Sequence, residues 1–154
     1  MESLHTTISA GLIKHYEEFL GKVHQWAEAL TEKQFWTKPY AYGNSYGHLV
    51  LHLTGNLNYY IGAQIAATGY VRDRDREFTD ANPPTKAEAL QRLDEAVAMV
   101  VRTLHVQTDD DLAKPYSAIG DAGAGNRFNI FLRCVAHMFH HIGQMIYLHQ
   151  EFQK

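Results

Sequence analysis

At 154 residues, with 45% hydrophobic and 20% charged side chains, the chain has the composition of one globular domain with a single core, expected to span residues 1–154. A formal net charge of −3 without any basic block argues against a nucleic-acid surface. No apolar run approaches a membrane span, residues 1–30 lack a signal-peptide pattern, and the single cysteine, Cys134, allows no internal disulfide. A cytoplasmic protein without nucleic-acid or membrane partners is therefore expected.

Ile8, Leu12, Phe19, Val23, Trp26 and Leu30 recur at helical spacing and predict a long first helix over residues 4–30, with His15 inside its stripe and His24 off it. Pro39 and Gly43 break the pattern, so residues 31–43 read as a loop. Asn44 or Ser45 can cap a second helix running to about Thr68. Its apolar arc is Tyr46, Val50, Leu53, Leu57, Tyr60 and Ile65; His48 points away from that arc, while His52 lies at its flank. Residues 69–84 read as a charged connection of alternating sign. Thr85 to Glu88 is a capping-box pattern that opens a third helix, whose seam of Leu90, Leu93, Val97, Val100 and Leu104 carries no metal-ligand type. Residues 109–125, rich in Asp, Gly and Ala, read as a long loop of the kind that often lines a site. Asn126 can cap a fourth helix reaching almost to the C-terminus. No segment shows a strand period and no internal repeat is present, so an all-α four-helix bundle is the expected fold.

The fourth helix carries two stripes. Ile130, Cys134, His137, His141, Met145, Leu148 and Phe152 form one, with two imidazoles in the middle of an apolar row. A buried imidazole needs a hydrogen-bond partner or a metal. Phe128, Leu132, Val135, Phe139, Ile142 and Ile146 form the other, nearly opposite, and predict a homodimer contact through this helix.

His52, His137 and His141 could together hold one divalent metal facially, and a nitrogen-only set of this kind suits zinc, nickel or iron. Spacing alone does not separate that reading from hydrogen-bonded or surface histidines. His140 is the substitute for His141 and His48 for His52; His15 reads as a core histidine. Cys134 reads as a buried, unreactive thiol or a soft fourth ligand. Gln144, Asn56, Tyr59 and Tyr60 are candidates for orienting the imidazoles, or are ordinary bundle residues. A carboxylate-rich di-iron site is excluded, because no glutamate lies on the second helix and Glu151 is the only one on the fourth. There is no H-E-x-x-H motif.

HLVLHLTGNL in the second helix and AHMFHHIGQMIYL in the fourth resemble the two signature segments of the DinB-like (YfiT/DinB) superfamily, the damage-inducible metal-binding four-helix bundles. VRDRDREF between them is similar to a linker of one uncharacterised branch. The resemblance covers nearly the whole chain, and its most specific part is the H-x-x-x-H-x-G-Q element. It implies an up-down-down-up bundle, a homodimer and a metal site of His52, His137 and His141. The position before His137, frequently acidic in the similar branch, is Ala136 here, which removes one source of a carboxylate behind the ligands. Some relatives are metal-dependent transferases or isomerases that use a low-molecular-weight thiol, with the metal lowering the pKa of a bound thiol or water. Three readings of the function stay open: a thiol-dependent transferase or isomerase with a small-molecule substrate, a non-enzymatic metal-binding dimer in stress response, and a hydrolase using metal-bound water.

Overall fold

Four long helices carry the structure: α1 (Leu4–Glu28), α3 (Tyr46–Leu57), α5 (Lys86–His105) and α7 (Arg127–Glu151). They belong to a computed structural model that describes residues 3–154, so the first two positions of the expected domain lie outside the described residues. Three short helices, α2 (Glu32–Trp36), α4 (Arg76–Thr79) and α6 (Asp109–Ala113), and a hairpin of β1 (Pro115–Ala118) and β2 (Asp121–Asn126) fill the connections. The protein is thus mostly helical with one small antiparallel sheet. Among the described residues, no helix is long and apolar enough to cross a membrane.

Local chemistry sets where the helices begin. Ser45 Oγ accepts the His48 amide at 3.1 Å, Asn126 Oδ1 accepts the Asn129 amide at 2.9 Å, and Thr85 and Glu88 close a reciprocal capping box. Each supplies acceptors to amides that have no intrahelical partner. α1 packs on α5 and α7, and α3 packs on the same two. Their apolar faces meet in one core, in which the α5 seam of Leu90, Leu93, Val97, Val100 and Leu104 is buried as its spacing predicts. Two fully buried tyrosines lock helices together: the Tyr16 hydroxyl donates to the Phe131 carbonyl and the Tyr46 hydroxyl to the Val23 carbonyl, both at 2.6 Å.

Several expectations are corrected. His15 is exposed, because the buried face of α1 runs through Leu12, Tyr16, Val23 and Ala27, a little to one side of the expected stripe. The loop expected over residues 31–43 opens with α2, started by a Thr31–Gln34 capping box. The second helix leaves the α-conformation at Leu57 and continues as a π-helix over Asn58–Ala63. The long loop expected over residues 109–125 contains α6, capped by Thr108 and Asp111, and most of the hairpin. β2 reads DAGAGN and has none of the β-branched or aromatic residues that mark strands, so no period was visible. Its shape comes from glycines at positive φ: Gly120 (85°) in the two-residue turn, then Gly123 (99°) and Gly125 (76°).

The two stripes of α7 prove to be two edges of one face. At about 100° per residue, the buried residues from Ile130 round to Val135 cover an arc of roughly 140°. Phe131 and Met138, which belong to neither stripe, fill its middle and are fully buried. Val135 and Ile142 therefore point into the protein's own core, while Leu132 and Phe139 remain 44% and 59% exposed. Phe139 stacks on Phe19 of α1 with ring centroids 5.1 Å apart.

Candidate metal centre

The wide arc of α7 leaves His137 and His141, one turn apart, at its edge beside α3. There they meet His52, which the α3 face carries inward among Leu49, Leu53 and Asn56. One ring nitrogen from each of the three histidines lies within 4.8 Å of the other two. His137 Nε2 is 3.1 Å from His52 Nε2 and 3.0 Å from His141 Nε2.

The outer nitrogens determine where the protons sit. His52 Nδ1 lies 2.9 Å from Glu77 Oε2, and a carboxylate only accepts, so Nδ1 carries a proton and Nε2 is the nitrogen that, in the neutral ring, presents a lone pair. His141 Nδ1 likewise donates to Gln144 Oε1 at 2.7 Å, which leaves its Nε2 bare. His137 Nδ1 is buried and has no partner. A neutral His137 has one proton, so at most one of its two short nitrogen contacts can be a hydrogen bond. The other sets lone pair against lone pair. A cation at the meeting point removes this conflict, and neutral imidazoles are the right donors for zinc, nickel or iron. Nitrogens 3.0 and 3.1 Å apart are close enough to share one ion whose bonds to nitrogen are about 2.0–2.1 Å, so His52, His137 and His141 would hold it together.

Burial keeps the His137 and His141 rings neutral. It lowers His137 from the ordinary 6.5 to about 3, with the His141 and His52 rings adding to the effect. It lowers His141 to about 4, against the opposing pull of its bond to Gln144. At neutral pH neither needs to release a proton before it can bind a cation.

Glu77 is the residue that sequence reasoning missed. It sits on α4, inside the segment read as a charged connection, yet it is only 7% exposed. Arg72 grips it with two parallel bonds, Nε to Oε1 at 2.7 Å and Nη2 to Oε2 at 3.0 Å. The carboxylate reaches His52 because Gly55 leaves the α3 surface open: a Cβ there would overlap Oε1 and lie 2.8 Å from Cδ. The available signal was the glycine one turn after His52 in HLTG; the alternating charges themselves read as a solvated strand of linker.

The remaining candidates lie apart from the three nitrogens. His48 is half-buried, bonded to Ser45 and set edge-on to Trp36. His24 pairs with Asp94, and His15 faces Glu18 in solvent. His140 is exposed beside His141, with ring centroids 5.0 Å apart. Burial pushes the Cys134 thiol up to about 12, so it stays protonated. Of the four expected orienting residues, Gln144 alone touches an imidazole; Tyr59 and Tyr60 instead present their rings to the Arg72 guanidinium, 6.0 and 5.8 Å away. A cavity of about 1020 Å³ opens beside His52 and His137, walled by Asn56, Tyr60, Arg72, Asp121, Arg133 and Cys134.

Fold and site together define a mostly helical protein with a three-histidine group that could hold a metal ion. The chain belongs to the family described as protein of unknown function DUF1572, whose model matches residues 9–154. No match is found among the curated proteins.

Two outcomes are expected. His137→Ala or His141→Ala should abolish stoichiometric metal measured by elemental analysis, whereas His48→Ala and His24→Ala should leave it intact. Gly55→Ala, which displaces the Glu77 carboxylate without touching a ligand, should weaken metal affinity about 10- to 100-fold. The second concerns pH. The folded-state values of His137 and His141 lie below the ordinary 6.5, so the unfolded chain takes up protons first as pH falls. Stability of the metal-free protein from this source is complete above about pH 6.5 and declines as pH falls towards 3–4. Urea midpoints should therefore drop more steeply between pH 7 and 4.5 in the wild type than in a His137→Gln, His141→Gln double variant.

Proposed function

We propose that this protein is a DinB-like four-helix bundle of up-down-down-up topology whose His52, His137 and His141 hold a divalent metal used in the chemistry of a low-molecular-weight thiol. The observation that carries the metal is the pair of bare Nε2 atoms aimed at His137 Nε2 with too few protons between them. A divalent ion bound there supplies a Lewis acid that lowers the pKa of a thiol and leaves it nucleophilic at neutral pH. The chain's own residues then do three things. Glu77 and Gln144 fix the tautomers and ring directions of His52 and His141. The cavity admits a small ligand from the side of His137. Cys134, buried and protonated, offers no competing nucleophile.

The reading of the activity as transfer or isomerisation follows from the resemblance in the second and fourth helices, with hydrolysis and a non-enzymatic stress-response role as its rivals. Titration calorimetry separates them. Metal-loaded protein should bind glutathione, bacillithiol or mycothiol where metal-free protein does not. Affinity should rise with pH, because the thiol loses its proton on binding. Failure of all three thiols to bind would retire the transferase and isomerase reading.

We further propose a cytoplasmic homodimer with a second copy seated on the outer face of α7. Leu132 and Phe139 support it, as the members of the second stripe that stay exposed. Phe139→Glu should shift the protein from dimer to monomer in sedimentation and lower its melting temperature, since it removes both the subunit contact and the stack on Phe19. A monomeric wild type would overturn this part.

A further inference from the structure

The cavity beside the histidines is uneven in charge. Three guanidinium groups stand on its wall, and two are already matched: Arg72 by Glu77 and Arg133 by Asp121. Arg74 is the third, and its side chain makes no ion pair or hydrogen bond among the described residues. It is nevertheless seated. Its guanidinium lies over the Phe78 ring, 5.7 Å from the centroid, and Phe78 packs in turn on the His52 ring at 4.9 Å. An aromatic face attracts a guanidinium without using its N–H donors. Arg74 therefore stands one ring away from a candidate metal ligand with its planar fork of donors free.

Much of the remaining wall is apolar. Three of the chain's exposed large hydrophobic side chains, Tyr70, Val71 and Ile119, line this same cavity, with Val71 87% and Ile119 90% exposed. They come from two separate segments, the linker before α4 and the tip of the hairpin. Ile119 precedes Gly120 in the two-residue turn, a place where turn geometry asks for no β-branched side chain. Single exposed apolar residues are ordinary. Several around one cavity, with the Tyr59 and Tyr60 rings on its wall, make a surface for the apolar body of a ligand. One unmatched guanidinium calls for one negative charge, which fits a carboxylate better than a phosphate carrying nearly two.

We propose that the cavity takes a small organic acid, with Arg74 binding its carboxylate and Val71 and Ile119 covering its apolar body. This specificity rests on the reading above of the cavity as the ligand site, although recognising the acid needs neither metal nor thiol.

Calorimetry on metal-free protein tests it, because no ion then competes for the carboxylate. The probes are 4-phenylbutyrate, its neutral amide 4-phenylbutanamide, acetate and 3-phenylpropyl phosphate. Phenylbutyrate should bind about tenfold more tightly than the amide, the gain of a charge-assisted fork. It should exceed acetate, which lacks the apolar body, by a similar factor of about ten. The phosphate should bind no more tightly than phenylbutyrate. Arg74→Gln should reduce the ratio of acid to amide affinity to less than about twofold. Amide binding should stay unchanged in that variant, which shows that the cavity is intact. Val71→Ser and Ile119→Ser together should weaken acid and amide alike, about fivefold, with their ratio kept. Several results overturn the acid site: acid bound no better than amide or acetate, a preference that survives Arg74→Gln, or tighter binding of the phosphate. Full affinity in the Val71, Ile119 variant, or no binding of any probe, does the same. Elemental analysis reads the metal separately. Protein that prefers the acid but takes up no zinc overturns the metal centre alone, and zinc uptake without the preference overturns the acid site alone.

Discussion

The structure turns on a carboxylate pressed against a glycine. Glu77 is buried, and an ionised carboxylate in that position survives only with full compensation. Arg72 provides the charge and two parallel bonds, and His52 Nδ1–H provides a third. All three depend on Gly55, since any side chain there would occupy the space of the carboxylate. The pair gains little net stability over an apolar substitute, because the desolvation of two ions offsets most of their attraction. What it sets is direction: one tautomer and one orientation for His52. Removing Glu77 would leave Arg72 buried and uncompensated, so linker and site are lost together.

From this point the contacts continue outward. The same guanidinium that holds Glu77 lies against Tyr59 and Tyr60, which sit on the π-helical turn following α3. The Tyr60 carbonyl accepts the Tyr116 hydroxyl at 2.8 Å, and its own hydroxyl lies under the hairpin turn. Helix α3, the linker and the hairpin are thereby joined around one cavity. The wider turn of a π-helix places Tyr59 and Tyr60 where a continued α-helix would not, and such turns recur at functional sites for this reason.

The long helices and the histidine group were legible in the sequence because each rests on a strong period. The α5 seam and the caps at Ser45, Thr85 and Asn126 follow from spacing on a helix, whereas spacing left the three histidines open to a surface reading and the resemblance in the second and fourth helices favoured their convergence. What spacing could not supply was the third dimension of α7. Phe131 and Met138, which belong to neither stripe, join the two into one broad face whose outer edge keeps Leu132 and Phe139 exposed. The site's orienting residues were hidden for a different reason. Glu77 and Arg72 lie in a segment whose alternating charges have no period, and they gain meaning only when folded back onto Gly55. The hairpin was hidden because glycine backbone conformations hold it, and these leave no apolar signature.

The unpaired polar atoms sharpen the argument for a site. Asn56 Oδ1, Asp121 Oδ2 and His137 Nδ1 are all buried without partners, and their residues line one cavity. In the core, Tyr16 and Tyr46 each find a carbonyl, and the short helices α2 and α6 close their capping boxes. Ser9 Oγ and His5 Nδ1, outside the cavity lining, are also buried without partners, so an unpaired atom marks a site only where a second observation joins it; at His137 that observation is the two imidazole nitrogens 3.0 and 3.1 Å from its Nε2.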